Sequence, residues 1–173
     1  MKDLDRKAKF QELKSSFEGG SVGEQGKSQR KGRSLRRVAM DFLARREHSA
    51  QELGRKLKAR SDKMDDVEAV LQQLQQEGLQ SDERFTEAYV HHRINAGVGP
   101  LKIRYELRQK GIDESLVDTV LEPLNDQWDE MMYAQRERKY GSAIPGDYTE
   151  RMKQARFLQN RGFSPESVMR LFR

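Results

Sequence analysis

The chain has 173 residues with no cysteine, 35% hydrophobic and 35% charged residues, and a net charge of +5 at neutral pH. These values exclude disulfides, thiolate metal sites and cysteine nucleophiles, and suit thin helical layers better than one thick core. No apolar run approaches the roughly 20 residues that cross a bilayer, and the start Met1-Lys2-Asp3-Leu4-Asp5 lacks a signal-peptide stretch, so a cytoplasmic protein without membrane contact is expected. Residues 1–33 hold nine Lys/Arg against five Asp/Glu, leaving 24 against 23 on residues 34–173. With so neutral a body, attraction to nucleic acid must come from local patches or from the amino-terminal arm.

Residues 1–33 read as a flexible basic arm, because the glycine-rich stretch 19–33 has almost nothing apolar to offset its ordering entropy. Ahead of that stretch, Leu4, Phe10, Leu13 and Phe17 are spaced loosely like one helical face, which fits either a short docking helix or a frayed tail. From Leu35 onward Leu35, Val38, Ala39, Phe42 and Leu43 form a helical stripe. Ser49-Ala50-Gln51-Glu52 has capping-box form ahead of Leu53 and Leu57. Asp62 is placed to cap a third helix with Val67, Val70, Leu71 and Leu74 inward, and Gly78-Leu79 supplies its stop.

The pattern then recurs. Leu57, Leu107 and Leu158 stand 50 and 51 residues apart; ten residues after each comes a valine (Val67, Val117, Val168), and fourteen after each a large apolar residue (Leu71, Leu121, Phe172). Gly111-Ile112 and Gly162-Phe163 end the middle helices, and Asp113 and Ser164-Pro165 cap the helices after them. Each repeat opens on an aromatic helix: Phe42 with Leu43; Phe85 with Ala88 and Tyr89; Trp128 with Met131, Met132 and Tyr140. The expected fold is all-α, an elongated, curved tandem array of three helix-turn-helix-like repeats, 34–79, 80–124 and 125–173, with nine helices and almost no strand.

These residues resemble a known family. Phe42 to Leu57, with Arg46, Glu47, His48 and Ser49 at its centre, is similar to the first block of the bacterial regulatory protein RecX. Ser81 to Ile112, with Asp82, Phe85, Gly99, Pro100 and Gly111, resembles its middle repeat. Arg138 to Phe163, with Phe157 and Gly162, looks like its last. The resemblance covers residues 34–173 and implies a negative modulator of the RecA recombinase. Such a protein lies along the groove of the RecA filament on single-stranded DNA, hinders its extension and damps ATP hydrolysis, strand exchange and co-protease activity in the SOS response. The basic arm departs from the compact family pattern.

Site chemistry is sparse. His91 and His92 are neighbours on a helix, about 100° apart, and cannot chelate as a pair. His48 suits the carbonyl end of the first helix, and Asp65-Asp66, Asp82-Glu83 and Asp129-Glu130 suit solvated first turns. Gly97-Val98-Gly99-Pro100 lacks the lysine and serine of a nucleotide loop and reads as a tight turn. No catalytic residue, metal ligand or cofactor is assigned, and a non-enzyme is expected. With Leu101, Ile103 and Leu107 taken as buried, Lys102, Arg104, Arg108 and Lys110, together with Lys153, Arg156 and Arg161, form a basic ridge. That ridge reads either as a solvated face or as a surface for acidic protein or phosphate. The expected partner is the RecA filament, met by a monomer, with direct contact to single-stranded DNA left open; the alternative is a helix-turn-helix transcriptional regulator bound to duplex DNA.

Overall fold

Short amphipathic segments separated by caps and glycines fold as helices throughout the described residues of this computed structural model, which are 34–172 apart from Asp62 and the side chain of Asp65. The arm and the Asp62 cap lie outside them. Among the described residues nine α-helices follow one another: α1 (Leu35–Leu43), α2 (Ala50–Lys58), α3 (Met64–Gln76), α4 (Asp82–Asn95), α5 (Pro100–Gln109), α6 (Glu114–Leu121), α7 (Trp128–Tyr140), α8 (Tyr148–Asn160) and α9 (Pro165–Leu171). A 3₁₀ segment, Glu122–Gln127, joins α6 to α7, and there is no strand among the described residues. Helix α3 starts behind Lys63, which contributes no side-chain cap.

The chain forms two compact units, one of residues 34–48 with 53–80, the other of 49–52 with 81–172. In the first, Val38, Ala39, Leu43, Leu53, Leu57, Val67, Leu74 and Leu79 make the core. Ser34 caps α1 by accepting the Arg37 amide hydrogen bond at 3.3 Å, and Arg36 ties α1 to the end of α3 through Glu77 at 2.7 Å. Helix α3 closes as expected at Gly78, with the Leu79 amide returning to the Leu74 carbonyl at 2.8 Å. His48, expected near the carbonyl end of α1, is buried, its imidazole edge-on to Phe42 with ring centroids 5.9 Å apart.

The second unit buries Phe85, Val90, Ile103, Trp128, Met132 and Phe163 together with the repeated positions Leu107, Val117, Leu121, Leu158, Val168 and Phe172. Leu57, Leu107 and Leu158 are each fully buried, so the fifty-residue spacing marks equivalent core sites. Two inward assignments change. Ala88 is exposed, and Thr86 and Val90 turn inward in its place, Thr86 Oγ1 donating to the Asp82 carbonyl at 2.7 Å. Leu101 is 50% exposed.

Two joints of the same design occur inside this unit. Glycines in the left-handed region end α5 and α8, Gly111 at φ 76° and Gly162 at φ 94°. Their successors Ile112 and Phe163 donate back to Leu107 and Leu158, closing each helix without a Cβ penalty. The end of α8 then abuts the start of α5: the Gly99 amide donates to the Arg161 carbonyl at 2.8 Å and the Leu101 amide to the Gly162 carbonyl at 3.0 Å. Carbonyls left over at one helix end thereby satisfy amides left over at another, and the negative end of one helix meets the positive end of the other. A Cβ at Gly99 would lie 2.5 Å from the Gly162 carbonyl carbon, which fixes glycine there. The end of α5 meets residues 49–52 similarly: Ser49 Oγ donates to the Lys110 carbonyl at 2.8 Å and accepts from the Glu52 amide at 3.1 Å. The Asp82 carboxylate accepts from the Ala50 amide at 2.8 Å.

Candidate functional site

The family-motif residues serve largely as joint parts. Ser49, Asp82 and Gly111 come from two sequence blocks and meet at the Lys110 end of α5. Gly99, Pro100 and Gly162 meet at the start of that helix, with Pro100 at its first position. The Gly97–Pro100 turn is therefore no phosphate loop, because the amides that would receive an anion already bond the α8 carbonyls. Asp82, expected as a solvated first-turn acid, is a half-buried acceptor. Phe157 lies between cations, with Lys139 Nζ at 3.8 Å and the Arg161 guanidinium at 5.1 Å from its ring centre; Tyr140 packs edge-on to it at 5.6 Å. Arg46 is exposed and bonds the Glu47 carbonyl at 2.9 Å.

The seven residues of the basic ridge separate by role. Arg161 donates to the Ala96 carbonyl at 2.7 Å and the Gly97 carbonyl at 3.3 Å, closing the end of α4. Lys110 lies over the stacked rings of Tyr89 and Phe85, at 5.1 Å and 6.0 Å. Arg104 reaches both Glu114 and Asp118 of α6 at 2.5 Å, and Arg108 reaches Glu114 at 2.6 Å. The two arginines hold the Glu114 carboxyl below its ordinary range, Arg108 most strongly. Glu114 and then Asp118 push the Arg104 guanidinium up. Lys153 pairs with Glu150 at 3.4 Å, while Lys102 and Arg156 are exposed and carry no ion pair among the described residues.

Outward from α5, beside these cations, stand Leu101 at 50% and Tyr105 at 60% exposure. Sequence reasoning assigned Leu101 to the core and passed over Tyr105. On the other side of α5, Glu106 accepts from Tyr89 at 3.0 Å and from Arg93 at 2.7 Å. Burial first, then Glu106, raises the Tyr89 phenol to about 12. A second fixed feature is the α7–α8 loop. The buried Arg136 side chain donates to the carbonyls of Gly141, Ser142 and Ala143 and to Gln154 Oε1, and Arg151 holds the Pro145 carbonyl at 2.7 Å. Among the described residues no three His, Asp or Glu side chains are grouped to hold a metal ion, and no helix is long and apolar enough to cross a membrane.

Duplex reading in the helix-turn-helix manner requires a third helix bearing cations or amides at base-edge positions. Helix α6, ESLVDTVL, has neither; α3 has glutamines but no Lys or Arg, and α3 and α6 are both acidic; α9 has one cation, Arg170, paired with Asp129 and Glu166. The fold defines a protein of tandem three-helix domains with a charged, partly apolar exterior. Residues 81–121 match the family description "RecX, second three-helix domain" and residues 125–172 match "RecX, third three-helix domain". The chain belongs to the RecX family of regulatory proteins. It is 43% identical over 138 residues to "Regulatory protein RecX" of Pseudomonas fluorescens, covering 80% of this chain and 89% of that one. With the protein of the same name from Halorhodospira halophila it shares 42% identity over 135 residues, 78% of this chain and 84% of the other. The fold matches the crystal structure of RecX from Lactobacillus salivarius with a TM-score of 0.66 at 22% identity, covering 78% and 89% of the two chains.

Proposed function

We propose that this chain is a negative modulator of the RecA recombinase, acting in the cytoplasm as a monomer on the filament that RecA forms on single-stranded DNA. It occupies the filament groove, hinders extension, and lowers ATP hydrolysis, strand exchange and co-protease activity. The observation that carries this reading is the 43% identity to a RecX regulatory protein over 80% of the chain. The recurring Leu–Val spacing supports it, because it marks repeated three-helix units, 34–79, 80–124 and 125–173, and a partner that is itself a repeat can be met by more than one of them. Several weak contacts then combine through effective concentration.

The test is ATP hydrolysis by RecA on single-stranded DNA, with the full chain titrated in. Inhibition at amounts below one molecule per RecA subunit is expected, accompanied by slower filament growth in light scattering. No effect at equimolar amounts sinks the proposal. The duplex-regulator alternative predicts sequence-specific retention of double-stranded DNA at physiological salt, and the acidic α3 and α6 count against it.

A further inference from the structure

On α5, Leu101, Tyr105 and Arg108 share one face by helical spacing, and that face carries apolar surface that the fold leaves uncovered. Lys102 beside it has no carboxylate partner among the described residues. Arg108, with its side chain 63% exposed, is held among the described residues only by Glu114, itself 45% exposed. Glu114 also takes Arg104, which Asp118 shares. The outcome is a leucine and a tyrosine flanked by two cations, one open and one covered by an acid from the neighbouring helix.

We infer that the Leu101–Tyr105 face of α5 is a docking surface for an acidic protein surface with an apolar recess, and that Glu114 competes with that partner for Arg108. Charge complementarity names the partner. An incoming carboxylate gains Lys102 and takes the place of Glu114 on Arg108, forming a charge-assisted pair as the surface is desolvated. Leu101 and Tyr105 fill the recess, tyrosine being a frequent anchor at interface centres. Nucleic acid fits less well. Glu114 and Asp118 oppose either anion, so Leu101 decides: a recess in a protein buries it, whereas a phosphate backbone offers it no apolar surface and leucine, unlike Tyr105, provides no stacking plane.

This inference rests on the proposed action on RecA filaments, and its test separates the two. The full chain, its L101A/Y105A variant and its E114Q variant are titrated against RecA ATP hydrolysis on single-stranded DNA, and each is also titrated against a bare oligothymidylate. The docking surface predicts that L101A/Y105A needs about tenfold more protein for the same inhibition, with its melting temperature unchanged. It also predicts that E114Q needs about two- to threefold less, because removing the competitor's charge frees Arg108. K102E is a second probe, expected to weaken inhibition without touching the core. If the unaltered chain inhibits and L101A/Y105A inhibits equally well, the docking surface is overturned while the RecA reading stands. If L101A/Y105A loses oligothymidylate binding by the same factor as inhibition, the face binds nucleic acid and the protein-docking inference is overturned. If the unaltered chain leaves RecA unaffected, both readings fall. If E114Q inhibits no better than the unaltered chain, Glu114 is only a structural partner of Arg104 and Arg108.

Discussion

Leu101 and Ile103 are two residues apart on α5, and two steps of a helix rotate a side chain by about 200°. Both cannot face one core. Ile103 and Leu107, four apart, do share a face and are fully buried, which sends Leu101 outward with Tyr105. The sequence carried this information in its angles, although hydrophobicity alone hid it. Leu107→Ala should cost about 2–5 kcal/mol in urea unfolding through the cavity it leaves, whereas Leu101→Ala should stay within about 0.5 kcal/mol. Equal losses at the two positions would contradict this placement. Tyr89 gives a pH prediction. Its phenol is raised from 10.0 to about 12, so the folded state favours the protonated form. The associated stability is fully present below pH 10 and is lost as pH rises through about 12. Tyr89→Phe should remove that alkaline slope, which denaturant midpoints measured across this range would reveal.

Helix ends were the most readable elements, because caps act within three or four residues. Ser49 and Ser164 bond the amides expected of them, Asp113 accepts from Ser115, and Gly78, Gly111 and Gly162 stop helices where the pattern placed them. What helix ends meet was not readable. The Gly99–Gly162 contact joins residues over sixty positions apart, and nothing local marks two glycines as a pair. Gly162→Ala combines a left-handed backbone with a clash against the Lys102 Cβ and should cost at least about 2 kcal/mol. Gly78→Ala, at φ 68° with open space around it, should cost only about 1 kcal/mol. Thermal melts of the two variants test the difference. The Arg136 clamp was equally hidden, since an arginine in a charged run looks solvated until the chain folds over it. Arg136→Met should speed amide hydrogen exchange in residues 141–147 while α5 and α6 exchange as before.

At the scale of the whole molecule, composition and the fifty-residue period supplied the all-helical class, and the buried Leu57, Leu107 and Leu158 bear out the register. The location of the partner surface was not available at this scale. Seven ridge cations looked alike in the sequence, yet Arg161 and Lys110 serve the fold and Arg104 is tied to α6. Which cations remain for a partner is decided by acids from other helices. Charge also gives a prediction for the arm. Because residues 1–33 hold most of the net positive charge while the family domains lie at 81–121 and 125–172, the chain without the arm should still inhibit RecA, and inhibition should depend less steeply on salt. Titrations at several salt concentrations check it; complete loss of inhibition would place the main contact in the arm.

The joint between α8 and α5 is written mainly in peptide groups: two amides, two carbonyls and a pair of glycines hold it, with the Arg161 side chain on the Ala96 and Gly97 carbonyls beside them. A connection of that kind makes no demand on the identity of the α5 side chains that project beside it. Leu101, Lys102 and Tyr105 can be exchanged for other residues while the coupling between domains persists, so such a chain can be retuned toward a new partner surface without being refolded.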